Sequence, residues 1–242
     1  AYRRQINEAK IILQKVFASL QLFESDKGNL TDKQANNFSW ACINLGQCIE
    51  QAERRALKGE KIESSNKILS IYEKETEWIN RGKFPIAYEF GHRVFLAEGK
   101  SGMILDYSVG PKKTDLSELV PMLKRLKQQY GYLEMISLDK GYWRKGVRDE
   151  LLEYVNRPVI AKKGKLSDKE REIQKEDKFK KDRQWRSGVE SLISSCVRAN
   201  GMGRCRDKGI TAYRRWVGLG VFARNLITFG RILQEEEIKK AG

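Results

Sequence analysis

Five acidic residues stand where they could do chemistry. Glu73, Glu75 and Glu77 alternate along KILSIYEKETEW (67–78). Asp139 closes the apolar run LEMISLD (133–139), just before Lys-Gly-Tyr. Glu190 lies beside Val189, Leu192 and Ile193 in RSGVESLIS (186–194). A carboxylate next to an apolar face is costly to bury unless it is paired or bound to a cation. Three carboxylates from two strands and a helix are the donor set that hard, oxygen-preferring ions such as Mg²⁺ or Mn²⁺ take. Two such ions about 3.5–4 Å apart activate water on one side of a phosphodiester and stabilise the leaving oxygen on the other. Taken singly, each acid reads as a solvated or ion-paired surface residue. Only a topology that gathers them makes a site.

The charge balance names the partner such a site would meet. The 242 residues carry 47 Lys and Arg against 32 Asp and Glu, a formal charge of +15. Residues 1–66 hold 10 basic and 8 acidic side chains, so nearly all of the surplus lies beyond them. Trp, Tyr and Arg are interleaved with the lysines, as in RQWR (183–186) and YRRW (213–216). Such mixtures neutralise phosphates and stack on bases, which points to nucleic acid. No apolar run approaches the roughly 20 residues of a membrane span, and no signal peptide opens the chain. The four cysteines are far apart and form no CxxC pair, and His92 is the lone histidine. Zinc sites, disulfide frameworks and mechanisms needing several histidines are set aside, and a reducing compartment is expected.

The elements that must position the acids start with helices. Ile6, Leu13, Val16, Phe17 and Leu20 make one stripe of a helix over 2–23. A second helix starts at Thr31, where Thr-Asp-Lys-Gln has capping-box spacing, and buries Phe38, Cys42, Leu45, Ile49 and Ala52. This helical hairpin, residues 1–60, is an accessory or DNA-binding region, followed by the polar linker KGEKIESSN (58–66). Beyond it the period changes. Strands are expected at 67–78, at 86–97 with Phe90, His92, Val94 and Leu96 on one face, and at 103–109. A helix capped by Asp115 and stopped by Gly131 comes next, with Leu116, Leu119, Val120, Leu123 and Leu126 inward. After it come a strand at 133–139, a helix at 146–155, a strand at 157–163, a charged solvated insertion at 164–182, and a helical section from 185 interrupted at 200–209. The expected α/β architecture is a mixed sheet. Three antiparallel strands form a meander, and the fourth strand crosses over to lie parallel beside the first. Acids on the first and fourth strands then share an edge.

Other residues read more plainly. His92 is a core or hydrogen-bonded side chain, and Trp216 packs in the core. Trp185 packs or stacks on a base, and Lys162, Lys163 and Lys165 follow a strand that ends near the acids.

With these residues in view, the chain resembles the insertion-sequence transposases with an RNase H-like, DDE-type catalytic domain. LDKGYWRKGVRDELLE (138–153) resembles their segment after the fourth strand. RQWRSGVESLISSC (183–196) resembles the helix carrying their final Glu, with Arg186 four residues ahead of it. LSIYEKETEWINRGK (69–83), YEFGHRVFLAEGKSGMILDYSV (88–109) and VFARNL (221–226) resemble the first strand, the following hairpin and the closing helix. The resemblance implies an RNase H-like domain over 67–242. It implies Glu73, Asp139 and Glu190 as catalytic acids and as ligands of a two-ion Mg²⁺ or Mn²⁺ site. It also implies cutting of transposon ends, joining of the freed 3′-OH to target DNA, a homodimer on DNA, and a bacterial cytoplasmic location. Lys83, Lys140, Lys162, Lys163, Arg183 and Arg186 would contact DNA. Glu stands where the first acid is usually Asp, and a displacement of about 1 Å costs on the order of 100-fold in rate. Glu77, Glu98 and Asp106 are alternative first acids. A nuclease that only hydrolyses, or a transposase-derived DNA-binding protein with an impaired triad, are the competing readings.

Overall fold

The computed structural model describes residues 2–25, 31–63, 66–73, 75–80, 82, 84–85, 87–110, 115–131 and 133–241. Residues 26–30, all of Lys83, and the side chains of Leu20, Asp115 and Leu116 lie outside the described residues. The chain forms two compact units, Ala1–Gly91 and His92–Gly242.

The first unit opens with α1 (Tyr2–Ser25) and α2 (Asp32–Ala52). Thr31 starts α2 with a complete capping box: its side chain accepts from the Gln34 N–H, and the Gln34 side chain reaches back to the Thr31 N–H. Ile6, Cys42 and Ile49 are buried, and Lys10 pairs with Glu53 in the π-helical turn Glu53–Leu57. Phe17 and Phe38 are exposed rather than inward.

The expected first strand is where sequence and structure part. Of residues 67–78 only the last two are extended into a ladder: β1 is Glu77–Asn80, paired antiparallel with β2 (Tyr88–Gly91). The cause is local. The Ser70 hydroxyl accepts from the backbone N–H groups of Tyr72 and Glu73 at 3.3 and 3.0 Å, and the Thr76 N–H donates to the Glu73 carbonyl. These bonds turn the chain at 70–73 and at Thr76, and outcompete the β-branched pattern.

The second unit begins with a separate hairpin, β3 (Val94–Glu98) antiparallel to β4 (Ile104–Val109). The run 86–97 is therefore two strands broken at His92 and Arg93, each with its own partner. α3 (Asp115–Tyr130) follows and ends at Gly131, whose φ of 73° suits a residue without a Cβ. β5 (Met135–Leu138), α4 (Val147–Leu152) and β6 (Arg157–Ile160) make a parallel strand–helix–strand unit. Among the described residues the strands form three two-stranded sheets, not the continuous mixed sheet expected. The mixed α/β class holds.

The charged stretch forms α5 (Asp168–Lys175) and α6 (Asp177–Trp185). It is not wholly solvated. α6 packs on β5 and β6, buries Phe179, and places Asp182 2.8 Å from Arg157. α7 (Ser187–Arg198) and α8 (Ile210–Ala241) complete the unit. Two main cores result. Ile104 and Val109 of β4 meet Leu192 and Cys196 of α7 and Val217 and Val221 of α8. Leu119 and Leu123 of α3 meet Val147, Leu151, Val155 and Ile160.

Candidate active-site edge

Asp139 follows β5 directly. Its Oδ1 accepts from the Lys140 N–H at 2.6 Å, capping the short helical turn Lys140–Tyr142. The other oxygen, Oδ2, faces Arg186 Nη1 at 3.7 Å. Arg186 is the hinge residue between α6 and α7. Both partners keep access to solvent, so the pair contributes little stability; its value is positional. It ties the end of β5 to the first turn of α7. Glu190 stands four residues beyond Arg186, one helical turn away on the same side of the helix, and is exposed. The structure thus brings Asp139, Arg186 and the first turn of α7 to one edge of the second unit.

Glu73 belongs to the first unit. It is half-buried within the Ser70 turn rather than on a strand. Of the alternative first acids, Glu77 begins β1 with Oε1 buried and without a hydrogen-bond partner. Asp106 accepts from Arg125 Nε at 2.9 Å. Glu98 ends β3, where burial pushes its carboxyl up while Arg224 pulls it down. Among the described residues no three His, Cys, Asp or Glu side chains group closely enough to hold a metal ion.

The basic side chains divide. Lys140, Lys163 and Arg183 are exposed. Lys162 is engaged: its Nζ lies 2.8 Å from Glu170 Oε2 and 5.7 Å above the Trp143 ring. Sequence reading missed this lock, although Ser-Asp-Lys-Glu (167–170) has capping-box spacing and Ser167 does cap α5 with Glu170. The Lys162 ammonium, then the Ser167 backbone N–H and hydroxyl, hold the Glu170 carboxyl down to about 2. A folded value below the ordinary 4.5 means the contribution to stability is present above that value and is lost as pH falls towards about 2. NMR titration of the Glu170 side chain should give a midpoint near 2 in the native chain, rising towards 4.5 in Lys162→Met. An ordinary midpoint in the native chain would rule out the lock.

A cavity of about 630 Å³ lies alongside, lined by Phe95–Glu98 of β3, by α3, by β5, and by Arg157, Trp185 and Arg186. Its polar lining includes Glu98, Glu118, Glu134 and Asp182. Glu118 is buried and bonded to Arg125 at 3.1 Å. In the sequence, only its place three residues after Asp115 marks it, as a capping residue. His92 is half-buried with its ring 5.0 Å from that of Tyr213, and the Trp216 indole N–H donates to the Gly201 carbonyl at 2.8 Å.

A strand-end aspartate, an arginine between two helices and a helix-borne glutamate thus stand in one basic α/β unit, and one comparison with known families bears on it. Residues 155–229 match the family described as "Transposase DDE domain". That stretch contains β6, α5, α6, α7 with Glu190, and much of α8; Asp139 and Glu73 precede it. It supports an insertion-sequence transposase DDE domain in this chain. No curated protein and no solved structure is detectably similar to it. Among the described residues no helix is long and apolar enough to cross a membrane.

Proposed function

We propose that the chain is the catalytic region of a DNA transposase, cutting transposon ends and joining the freed 3′-OH to target DNA. The observation that carries this reading is the contact between Asp139 and Arg186, which links the end of β5 to the helix of Glu190 inside a stretch matching a transposase DDE domain. Asp139 and Glu190 offer carboxylate oxygens, the donor chemistry that fits Mg²⁺ or Mn²⁺. Glu73 is proposed as the third donor on the family resemblance alone. A bound divalent ion would supply Lewis-acid activation of the attacking and leaving oxygens. The chain's own residues supply the rest. Arg186 would hold a phosphate oxygen once Asp139 turns to a cation, since a guanidinium binds carboxylate and phosphate alike. Lys140, Lys163 and Arg183 are exposed, and would keep the backbone in line. Lys162 would join them only on leaving Glu170. Such a protein would act where bacterial DNA lies, in the cytoplasm, with an RNase H-like domain over 67–242 behind the helical hairpin of 1–60.

The test is incubation with Mg²⁺ and duplex DNA bearing the element's ends. Nicks that expose a 3′-OH, followed by strand joining, are expected for the native chain and lost in Glu190→Ala. Nicking without joining would make the chain a nuclease. Salt-sensitive binding without any cutting would make it a DNA-binding derivative of a transposase.

A further inference from the structure

The ribbon of β1 and β2 is turned the wrong way round for a buried core. Its ladder sets Trp78 opposite Phe90 and Asn80 opposite Tyr88, so these four side chains share one face. On that face Trp78, Tyr88 and Phe90 are 40, 49 and 66% exposed. Glu77, Ile79 and Glu89 take the other face and are half-buried. Glu77 Oε1 is buried there without a hydrogen-bond partner. Packing alone favours the reverse, with rings inward and carboxylates in water. An arrangement that keeps rings out and a carboxylate oxygen in, at a cost in stability, points to a use for the outer face.

We infer that this face is a stacking platform for the unpaired bases of single-stranded DNA. Its composition, spacing and charge favour that occupant. The face holds three rings and one amide, and aromatic rings are what splayed-out bases stack on. Tyr88 and Phe90 are two residues apart on one strand, about 7 Å, or twice the 3.4 Å step of a stacked strand. The two rings therefore suit successive bases that have been pulled apart. A duplex keeps both faces of each base covered and offers them nothing. Positive charge lies beside the rings. The Trp78 ring has its centroid 4.9 Å from that of Tyr88 and 5.0 Å from the Lys67 ammonium. That cation stands next to the stacking surface, where a phosphate would neutralise it. The connection 81–87 adds Arg81 and Lys83 and no acid. Rings beside a positive track are how single strands are held without regard to sequence. The choice of DNA over RNA rests on the function proposed above; the stacking does not.

The test is binding of a fluorescent oligothymidylate dodecamer to the full chain, read by anisotropy, with a duplex of the same length beside it. Both rings are exposed, so Tyr88→Ala with Phe90→Ala should move the unfolding temperature by no more than about 2 °C. The double variant should bind the single strand about 50-fold or more weakly, and the duplex less than about twofold more weakly. Its salt dependence should keep the native slope, because the phosphate contacts stay. A dodecamer of abasic sites, which has phosphates but no bases, should bind the native chain and the double variant alike. Tyr88→Phe with Phe90→Tyr should keep the native affinity, since either ring offers a π face. Equal binding of the single strand by native chain and double variant, or an equal loss on the duplex, would overturn the proposal. So would an oligouridylate dodecamer bound about tenfold more tightly than the DNA, which would assign the platform to RNA. A chain that holds the single strand through these rings yet cuts no DNA would sustain the platform and overturn the reaction proposed above.

Discussion

Asp139→Asn should lower DNA nicking by about 1000-fold or more while leaving the fold and DNA affinity in place. The substitution separates the observed cap from the proposed ligand role of one side chain. As a cap, Asp139 accepts from the Lys140 N–H at 2.6 Å, and an asparagine oxygen does this as well. The unfolding temperature should therefore move by no more than about 2 °C. As a ligand, the asparagine has lost its negative charge, and a hard cation loses its strongest donor. Arg186 also loses its ion pair and becomes free for phosphate, so binding should hold or tighten slightly. Nicking within about tenfold of the native rate would remove Asp139 from the chemistry. A collapse of the unfolding temperature would show that the cap, not the charge, was the main role.

Leu192→Ala should cost about 3 kcal/mol, within the 2–5 kcal/mol usual for a fully buried leucine, and lower the unfolding temperature by roughly 10 °C. Leu192 is 1% exposed and lies in the core formed by β4, α7 and α8. Its neighbours there, Ile104, Cys196 and Val217, are themselves buried and cannot close the gap without moving β4 or α8. The effect should reach the candidate active-site edge, because this anchor fixes the rotation of α7 and so the direction of Glu190, two residues before it. Nicking should fall more steeply with temperature than in the native chain when both are measured below their unfolding transitions. A loss of stability under 1 kcal/mol would mean that α7 is held by something other than this core.

How legible these elements were depends on what competed with each pattern. The capping box at Thr31, the stop at Gly131 and the short apolar runs of β5 and β6 are local signals with no strong rival, and they read through, whereas the pairing of β5 with β6 instead of the first strand did not. The first strand did not. KILSIYE has the residue types of a strand, but Ser70 supplies a hydroxyl that gathers two nearby N–H groups, and short-range bonding decides the backbone there. The alternation over 86–97 concealed a change of partner at His92, since both halves keep a period of two. In 164–182 the density of charge concealed Phe179 and the Asp182–Arg157 pair. The places of Asp139 after β5 and of Glu190 on α7 were legible, because an acid closing an apolar strand and another beside an apolar helical stripe break the surrounding pattern; their roles are proposals. The bond between Lys162 and Glu170 was not, because a lysine after a strand looks the same whether solvated or held.

The docking of α6 on β5 and β6 has an evolutionary corollary. Residues 164–175 hang outboard, held by the Ser167 cap and the Lys162–Glu170 bond, so relatives can gain or lose residues there without disturbing α6 and α7. Between Phe179 and Arg186 the same freedom is denied. Each residue added would turn Arg186 and Glu190 about 100° around the axis, away from Asp139. Indels in the lineage should therefore crowd into the outboard loop and stop short of Phe179.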